Sequence, residues 1–489
     1  MSSILQSRIK PGTLDAKTRS VLAEVDISLR FPILFFVICA VLWLIVGNLL
    51  ALVTSFQSYN PDFLSGCEWF TYGRLYPVAT NAILFGWGCN AIFAVALWII
   101  ARLSQSPVRD KGILLIAGLF WNFGLKVGLF GILSGDLISA KLLELPGYAT
   151  PIMMIAYTLI GAWCVLTFLN RKERTVYIAQ WYILGAFFWF PWLYMIAQFM
   201  VIWFPARGVV QSIVSNWFAS GFFNLWLTSI ALATAYYLIP KMLGRPIYSY
   251  SIALLGFCSL ALIGSWPGMT QMVDGPVPIW LPSVGIVASV MMIMPVGTVV
   301  LNLYLSVKGV LASVWQSLAL RFVGFGICAY FFVGVVGVAM ALRSVNEITQ
   351  FTVFISGYDQ LLVYAFFSMI LFGGLYFMVP RLIKRDWPSA DLIYLHFWGS
   401  ASGITLIVLA LLIGGLVSGS QMNDPEIPFI EVSQSLVIWL KAYTIGLVCL
   451  AVGHIAFAIN FFWMLASVKM VYSAQGADVL ESIEEGGSA

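Results

Sequence analysis

Residues 217–250 read WFASGFFNLWLTSIALATAYYLIPKMLGRPIYSY. The part that precedes Pro240 carries no charged residue and is longer than the roughly 20 residues with which an α-helix crosses a bilayer. Lys241 and Arg245 follow Pro240 in a short polar turn, and a new apolar run begins after it. The stretch therefore predicts a membrane-spanning helix that stops at Pro240.

The composition predicts the same environment for the whole chain. Of its 489 residues, 61% are hydrophobic and 9% are charged, and the mean hydropathy is +0.95. These values exclude a water-soluble globule, and a net charge of +4 excludes a nucleic-acid-binding surface. The seven cysteines form no CxxC or CxxCH motif, which argues against covalently attached haem.

Twelve apolar runs predict an all-α integral membrane protein with one membrane domain at 33–468. A segment at 1–32 precedes it, and the polar, acidic tail at 469–489 is predicted to be disordered. Lys and Arg concentrate in alternate loops, which places both termini in the cytoplasm. The predicted spans are 33–57, 74–102, 112–134, 149–169, 177–204, 213–239, 248–267, 279–304, 318–343, 352–380, 391–418 and 435–468.

Four further stretches carry distinctive motifs. They are GRLYPVATNAILFGWGCNA in span 2, LIGSWPGMTQ after span 7, GYDQLLVYAFFSMILFGGLYFMVPRL in span 10 and LHFWGSASGI in span 11. Together with residues 217–250, they resemble the catalytic subunit I of haem–copper oxidases, most closely the cbb3-type. The resemblance implies the twelve-helix bundle of subunit I in the inner (plasma) membrane of a bacterium.

The same resemblance assigns the positions of the metal ligands, which are histidines in the family. The low-spin haem positions are Ala79 and Gln360, and the high-spin haem position is Tyr358. The copper positions are Ser220, Thr270 and Gln271, and Gly264 stands where the family has its active-site tyrosine. Since His396 and His454 are the only histidines in the chain, the resemblance implies that neither the haems nor the copper bind in the family's way. We therefore expect no metal cofactor and no enzyme activity from this chain by itself.

Something must fill the volume that a haem occupies, because an empty cavity costs about 24 cal/mol per cubic ångström. We expect side chains to fill it, with a bound lipid or quinone as the alternative. The candidates are Trp87, Trp189, Phe222, Phe223, Trp226, Tyr358, Tyr364, Phe366 and Phe367.

Three charged residues lie inside the predicted spans: Lys126, Asp359 and Lys441. Charges within a membrane suggest function by default. The simpler interpretation is a buried Lys126–Asp359 ion pair between spans 3 and 10, or a lysine near a helix end whose ammonium snorkels to the membrane surface. His454, in the middle of span 12, is a candidate ligand of one atypical haem, but a hydrogen-bonded core histidine is the more common case.

Three functions remain open at this point. The first is a non-catalytic structural or assembly subunit of a respiratory complex, which contacts other membrane subunits such as membrane-anchored cytochrome c subunits. The second is a redox subunit with a single atypical haem or a quinone site. The third is a proton- or ion-translocating bundle that uses Lys126 and Asp359. Replacement of every ligand at once favours the first.

Overall fold

The computed structural model describes the backbone of residues 16–486 and the side chains of residues 18 and 20–467. Within this part it has no β-strand and twelve helices long and apolar enough to cross a membrane, which confirms the predicted fold class. These twelve are numbered spans 1–12 below: Ser20–Gln57, Tyr72–Ser104, Lys111–Ser134, Thr150–Leu169, Ile178–Trp203, Val209–Leu243, Tyr250–Met272, Trp280–Val307, Leu318–Ala341, Val353–Ile383, Ala390–Met422 and Phe429–Ser467. Short helices at Glu68–Phe70, Leu311–Gln316 and Arg343–Thr349 lie in the connections.

The two ends of the chain differ from the sequence-based boundaries. The first helix begins at Ala16 rather than at 33, because Val25 and Leu29 bury an apolar stripe against the bundle. The last helix is Phe429–Gly486, so it includes the backbone of residues 469–486. Continuing a helix does not require a new nucleus, so a polar sequence can extend it. Residues 1–15 and 487–489 of the predicted terminal segments lie outside the described residues.

Spans 2, 6 and 10 form the centre of the bundle. In an apolar stretch of 18 residues in each, nearly all residues are buried, whereas the corresponding stretches of the other nine spans expose a large share of theirs to the surroundings. Each central span contains one π-helical turn, at Ala82–Gly88, Phe222–Leu227 and Leu361–Ser368 respectively. Such turns interrupt the regular backbone hydrogen bonds and are frequent at functional sites.

Side chains of span 2 itself and of span 3 bond to the backbone of the π-helical turn in span 2. Trp121 donates its indole N–H to the Phe85 carbonyl at 2.9 Å, and Asn90 donates its amide to the Gly86 carbonyl at 2.7 Å. Asn90 is itself paired with Asn122 of span 3 through two hydrogen bonds of 3.0 and 3.2 Å. The irregular turn is thus tied into a buried polar network.

Because successive spans alternate in direction, their loops gather at two ends of the bundle. One end contains the loop between spans 3 and 4, and we call it the Glu144 end. The other contains the loop between spans 2 and 3, and we call it the Arg102 end. Here Asp26 accepts hydrogen bonds from Arg102 at 2.7 Å and from the Trp98 indole at 3.0 Å.

Span 6 does not stop at Pro240, as its sequence suggested. The helix continues for almost another turn to Leu243 and ends at Gly244, whose φ of +64° is left-handed. Proline removes one N–H donor but does not by itself end a helix near its last turn, and a residue with positive φ does so more often. Span 10 ends in the same way, with Pro380 inside the helix and Lys384 at a φ of +60°.

Candidate functional site

The assigned copper position Ser220 and the assigned tyrosine position Gly264 are in direct contact. Ser220 donates its hydroxyl to the Gly264 carbonyl at 3.1 Å, and Asn224, one turn further along span 6, donates its amide to the same carbonyl at 3.0 Å. A methyl group on Gly264 would stand 2.7 Å from a methyl carbon of Leu225 and 2.8 Å from the Leu260 carbonyl oxygen, which the backbone holds in place. There is consequently no room for a tyrosine side chain in this arrangement.

The segment with the other two copper positions packs against the same part of span 6. It is a short 3₁₀ helix, Pro267–Met272, and a methyl group on its Gly268 would clash with the Asn216 carbonyl and the Ser220 side chain. Thr270 is buried and bonds within its own turn to the Pro267 carbonyl at 2.8 Å. Gln271 is half-buried, and its carbonyl accepts a hydrogen bond from the Gln350 side chain at 3.0 Å.

The two low-spin haem positions lie on spans 2 and 10, which run side by side in the same direction. Trp87 donates its indole N–H to the Ser368 hydroxyl at 3.0 Å, and its ring stacks on Phe372 with centres 4.6 Å apart. This pairing of the spans places Ala79 at the level of Gln360. Ala79 is buried, and the buried side-chain oxygen of Gln360 has no hydrogen-bond partner among the described residues.

Asp359, which stands between the positions assigned to the haem ligands, pairs with Lys141 and not with Lys126. The Lys141 ammonium lies 2.6 Å from the Asp359 carboxylate and 5.5 Å from the centre of the Phe223 ring on span 6. The expected Lys126–Asp359 pair is therefore wrong, since Lys126 points outward from span 3 and is exposed. Lys141 lies in a loop, and its sequence context gives no signal for this contact.

Tyr358, the high-spin haem position, points toward span 9. A methyl group on Gly337 of that span would stand 2.9 Å from the Tyr358 hydroxyl. Lys441, the third charge predicted within the membrane, is exposed on span 12, with its ammonium 6.0 Å from the centre of the Tyr59 ring. Of the three predicted charges, Asp359 alone adjoins the assigned ligand positions.

Glu144 is a further acidic residue close to the assigned positions that sequence reasoning missed. Its carboxylate accepts hydrogen bonds from Asn81 of span 2 at 3.2 Å and from the Leu142 backbone N–H at 3.1 Å. Burial raises the pKa of Glu144, and the hydrogen bonds together with the charge of Lys141 oppose this rise. A glutamate in a loop of a membrane protein gives no sequence signal, because most such residues are solvated.

Aromatic rings occupy the interior between the central spans. Phe222 lies 5.5 Å from Phe85 of span 2 and 5.1 Å from Trp226, measured between ring centres. Trp226 in turn lies 4.3 Å from Phe190 of span 5. The other predicted filling residues that are buried in the interior are Trp87, Phe223, Tyr364, Phe366 and Phe367.

Two of the predicted filling residues lie nearer the surface. Tyr358 is half-buried, and Trp189 is half-buried with its ring stacked on Phe257 of span 7 at 5.7 Å. Trp189 therefore belongs to the packing of spans 5 and 7 and does not fill the centre.

The residues at the assigned positions do not fit the family's haems and copper. A haem iron takes imidazole, thiolate, thioether or phenolate donors, and copper beside it takes imidazoles. Ala79, Gln360, Ser220, Thr270 and Gln271 supply none of these, and the described residues contain no group of three or more His, Cys, Asp or Glu side chains that could hold a metal ion. Tyr358 supplies a phenol, but it points toward span 9.

The two histidines lie together, away from these positions. His396 and His454 are fully buried between spans 11 and 12, with ring centres 5.8 Å apart. Tyr364 and Phe372 of span 10 pack on His454 at 6.3 and 5.5 Å. Aromatic rings thus surround the His454 imidazole.

Comparison with known proteins finds similar sequences among the subunit I proteins of oxidases. Residues 32–449 match the family described as cytochrome c and quinol oxidase polypeptide I. A cytochrome c oxidase subunit 1 homolog of Azorhizobium caulinodans is 25% identical, covering 96% of this chain and 87% of that one. The cbb3-type cytochrome c oxidase subunit CcoN1 of Stutzerimonas stutzeri is 27% identical, covering 78% and 82% respectively.

The fold is also found among solved structures. A haem–copper terminal oxidase, determined as a dimer, superposes with a TM-score of 0.72 at 15% identity, covering 90% of this chain and 84% of that one. Sequence and fold thus agree on a multi-pass membrane protein, and the chain belongs to the cytochrome c and quinol oxidase polypeptide I family.

Proposed function

We propose that this chain is a non-catalytic member of its family, free of haem and copper, that serves as a structural or assembly subunit of a respiratory electron-transfer complex. One observation carries the proposal: at two of the assigned copper positions, the side chains of Ser220 and Thr270 are hydrogen-bonded within the protein itself. Ser220 and Asn224 bond to Gly264, and rings pack where spans 2 and 10 meet.

These contacts replace what cofactors contribute to such a bundle. Haem and metal bonds hold helices together, so a chain without them needs other links between the same helices. The Lys141–Asp359 pair links the loop between spans 3 and 4 to span 10, and the Ser220–Gly264 contact links span 6 to span 7. The fold would thus stand without its cofactors and keep the outer helix surfaces that other membrane subunits contact.

We propose that the Arg102 end faces the cytoplasm of a bacterial cell and that both termini lie there. Lys and Arg cluster in the loops at this end, and the cytoplasmic loops of membrane proteins carry such an excess. The partners would then be integral membrane subunits of the complex, among them membrane-anchored cytochrome c subunits, which would approach the Glu144 end.

The alternative with a bound lipid or quinone has one observation in its favour. An apolar groove of about 520 Å³ lies between spans 7 and 8, with Trp266 and Trp280 among its walls. It is open to the surroundings, and it lies apart from the central spans. An acyl or isoprenoid chain would fit there, without chemistry on this chain.

The two remaining alternatives lose support. A single haem on His454 would have to displace the rings of Tyr364, Phe372 and His396. A translocation path that uses both Lys126 and Asp359 lacks its link, since Lys126 faces outward and Asp359 is paired with Lys141.

The test is a visible absorption spectrum of the purified full-length chain, oxidised and dithionite-reduced, with a pyridine haemochrome assay and copper analysis. We expect no haem and no copper, and stoichiometric co-purification of other respiratory subunits from native membranes. One haem per chain would overturn the proposal, and His454 would then be the first residue to substitute. A cofactor-free chain that purifies alone from native membranes would contradict the assembly role.

A further inference from the structure

The last two spans enclose polar atoms without partners. His396 Nε2 and both ring nitrogens of His454 are buried and have no hydrogen-bond partner among the described residues, and the same holds for the Ser400 hydroxyl. Both histidines and Ser400 are fully buried. Buried polar groups in native proteins are almost always hydrogen-bonded, so a group of four unpaired atoms requires a partner.

These atoms lie at one place between spans 11 and 12. His396 and His454 have ring centres 5.8 Å apart, and Ser400 follows His396 by one turn. Glycine at position 453, next to His454, allows the backbones to approach closely: a methyl group there would stand 3.0 Å from the Ser400 hydroxyl and 3.1 Å from the His396 carbonyl. The polar atoms are therefore grouped within this one tight helix crossing.

The remaining ring nitrogen of the two histidines, His396 Nδ1, does have a partner, which fixes the orientation of the His396 ring. His396 Nδ1 lies 2.8 Å from the Tyr376 hydroxyl of span 10. A neutral imidazole has one N–H donor and one acceptor nitrogen. His396 therefore keeps Nε2 for a second bond, either as donor or as acceptor.

We infer that the space between His396, His454 and Ser400 is a binding site for one internal water molecule. Two hydrogen bonds of about 2.9 Å that meet at a water oxygen join atoms roughly 4.6 Å apart, which suits two rings that do not bond directly. A buried water typically makes about three hydrogen bonds, and this group offers two imidazoles and a hydroxyl.

The surroundings select water over larger or charged ligands. Phe372 and Phe457 lie 4.4 and 5.0 Å from His396, measured between ring centres, so the site has apolar walls and little room. The described residues contain no group of three metal-binding His, Cys, Asp or Glu side chains, and two neutral imidazoles in apolar surroundings do not compensate the charge of a divalent cation.

Occupied, this site links three spans. The bonds run from Tyr376 on span 10 through His396 on span 11 and the water to His454 on span 12. The water thus fastens the last two spans to a central one. The inference is independent of the proposed function, because none of the assigned ligand positions takes part in the site.

Two histidines in the whole chain make a direct test feasible. Full-length protein labelled with ¹⁵N- and ¹³C-histidine, reconstituted in lipid, gives only four ring-nitrogen signals in solid-state NMR. We expect rapid magnetisation transfer from an ordered water to both imidazoles. In the His454→Phe variant, this transfer to His396 should be lost.

Tyr376→Phe is the matched control. It removes the partner of His396 Nδ1 but not the water, so the Nδ1 signal should shift while water transfer to Nε2 persists. No water transfer to either imidazole in the wild type would overturn the inference. So would a direct ¹⁵N–¹⁵N coupling between the rings, or ring-nitrogen shifts characteristic of metal coordination. The wild-type spectrum and Tyr376→Phe decide the question even if His454→Phe does not fold.

Discussion

The two ends of the central spans differ in what their sequences retain of the family. At the Arg102 end, GRPIYSY after span 6 and MVPRL at the end of span 10 resemble the family's motifs. Toward the Glu144 end, the resemblance places the family's ligand histidines at positions that carry other residues here, among them Ala79, Ser220 and Gln360. A single helix such as span 6 or span 10 can thus resemble the family's motif at one end and differ from it at the other.

Hydrogen bonds at the Arg102 end give the residues that precede spans 7 and 11 a structural role. Ser249, in the IYSY part, exchanges two hydrogen bonds with the buried Asn302 of span 8, at 3.0 and 2.8 Å. Ser389, before span 11, exchanges two with the buried Asn460 of span 12, at 3.2 and 2.8 Å. These contacts hold the starts of spans 7 and 11 to their neighbours, so they serve the fold and are needed with or without cofactors.

The largest expected effect comes from returning haem ligands to the Glu144 end. Ala79→His together with Gln360→His restores a histidine pair on spans 2 and 10, but Ala79 is buried and Trp87 and Phe372 pack between the same spans. We expect no haem spectrum and a loss of stability of about 1–3 kcal/mol at each overpacked site. Absorption spectra and thermal unfolding in detergent measure both.

Ala79→Leu with Gln360→Leu is the control, since it adds volume without a metal ligand. Equal destabilisation of both double variants would show that packing decides the outcome. A bis-histidine haem signal in the histidine variant alone would contradict this expectation, because the Glu144 end would then retain a haem-sized space.

The next largest effect concerns the hydrogen bonds of Asn302 to Ser249 and of Asn460 to Ser389 at the Arg102 end. Asn302→Leu leaves the Ser249 N–H and carbonyl without partners, and a buried unpaired group costs about 1–3 kcal/mol. Asn460→Leu removes the corresponding bonds to Ser389, so we expect a similar drop in unfolding temperature. Ser220→Ala removes the bond to the Gly264 carbonyl and a 3.3 Å bond accepted from Asn224. It should cost less, because Asn224 still donates to the Gly264 carbonyl. If the unfolding temperature fell further for Ser220→Ala than for the asparagine variants, the contacts that determine the fold would lie at the Glu144 end and not at the Arg102 end.

The sequence was sufficient to predict the twelve spans, since apolar runs of this length report directly on the membrane. It misplaced helix ends, because those depend on local geometry: Gly244 and not Pro240 ends the helix of span 6. It also missed the start of the first helix at Ala16, where burial of Val25 and Leu29 stabilises a segment that looks polar.

The candidate site was predictable only in part. The resemblance gave positions such as Ser220 and Gly264, which the structure brings into contact. Lys141 and Glu144 could not have been found, because their contacts depend on how one loop folds over the bundle. No signal in the sequence marked the π-helical turns, and the proximity of His396 to His454 follows from the pairing of spans 11 and 12.

A smaller effect distinguishes the two matching helix ends after Pro240 and Pro380. Gly244→Ala places a Cβ on a left-handed residue and should cost roughly 1 kcal/mol, whereas Lys384 already bears that strain. Lys384→Gly should therefore not destabilise the chain, because relief of strain offsets the greater freedom of glycine in the unfolded state. Unfolding temperatures of both variants test this, and equal losses would show that φ does not control these ends.

The Lys141–Asp359 pair should contribute less, because both side chains are partly exposed. A double-mutant cycle with Lys141→Met and Asp359→Asn is expected to give a coupling of about 0.2–1 kcal/mol, smaller at high salt. A larger coupling that does not fall at high salt would mean that the pair is shielded from solvent. The pair would then contribute as much to stability as the hydrogen bonds of Asn302 and Asn460 at the Arg102 end.

The smallest effect is visible only as a dependence on pH. Burial raises the pKa of Glu144, so the folded chain holds this proton more tightly than the unfolded chain. The resulting stabilisation is complete below the ordinary pKa of glutamate and is lost as the pH rises through the raised value. Glu144→Gln resembles the protonated form, so unfolding temperatures of variant and wild type should agree in acid and diverge toward neutral pH, with the variant higher. A difference in unfolding temperature that stays constant across the pH range would contradict this expectation. The hydrogen bonds from Asn81 and Leu142 would then stabilise the carboxylate enough to cancel the effect of burial. The Glu144 end would tolerate a charge as readily as the Arg102 end does.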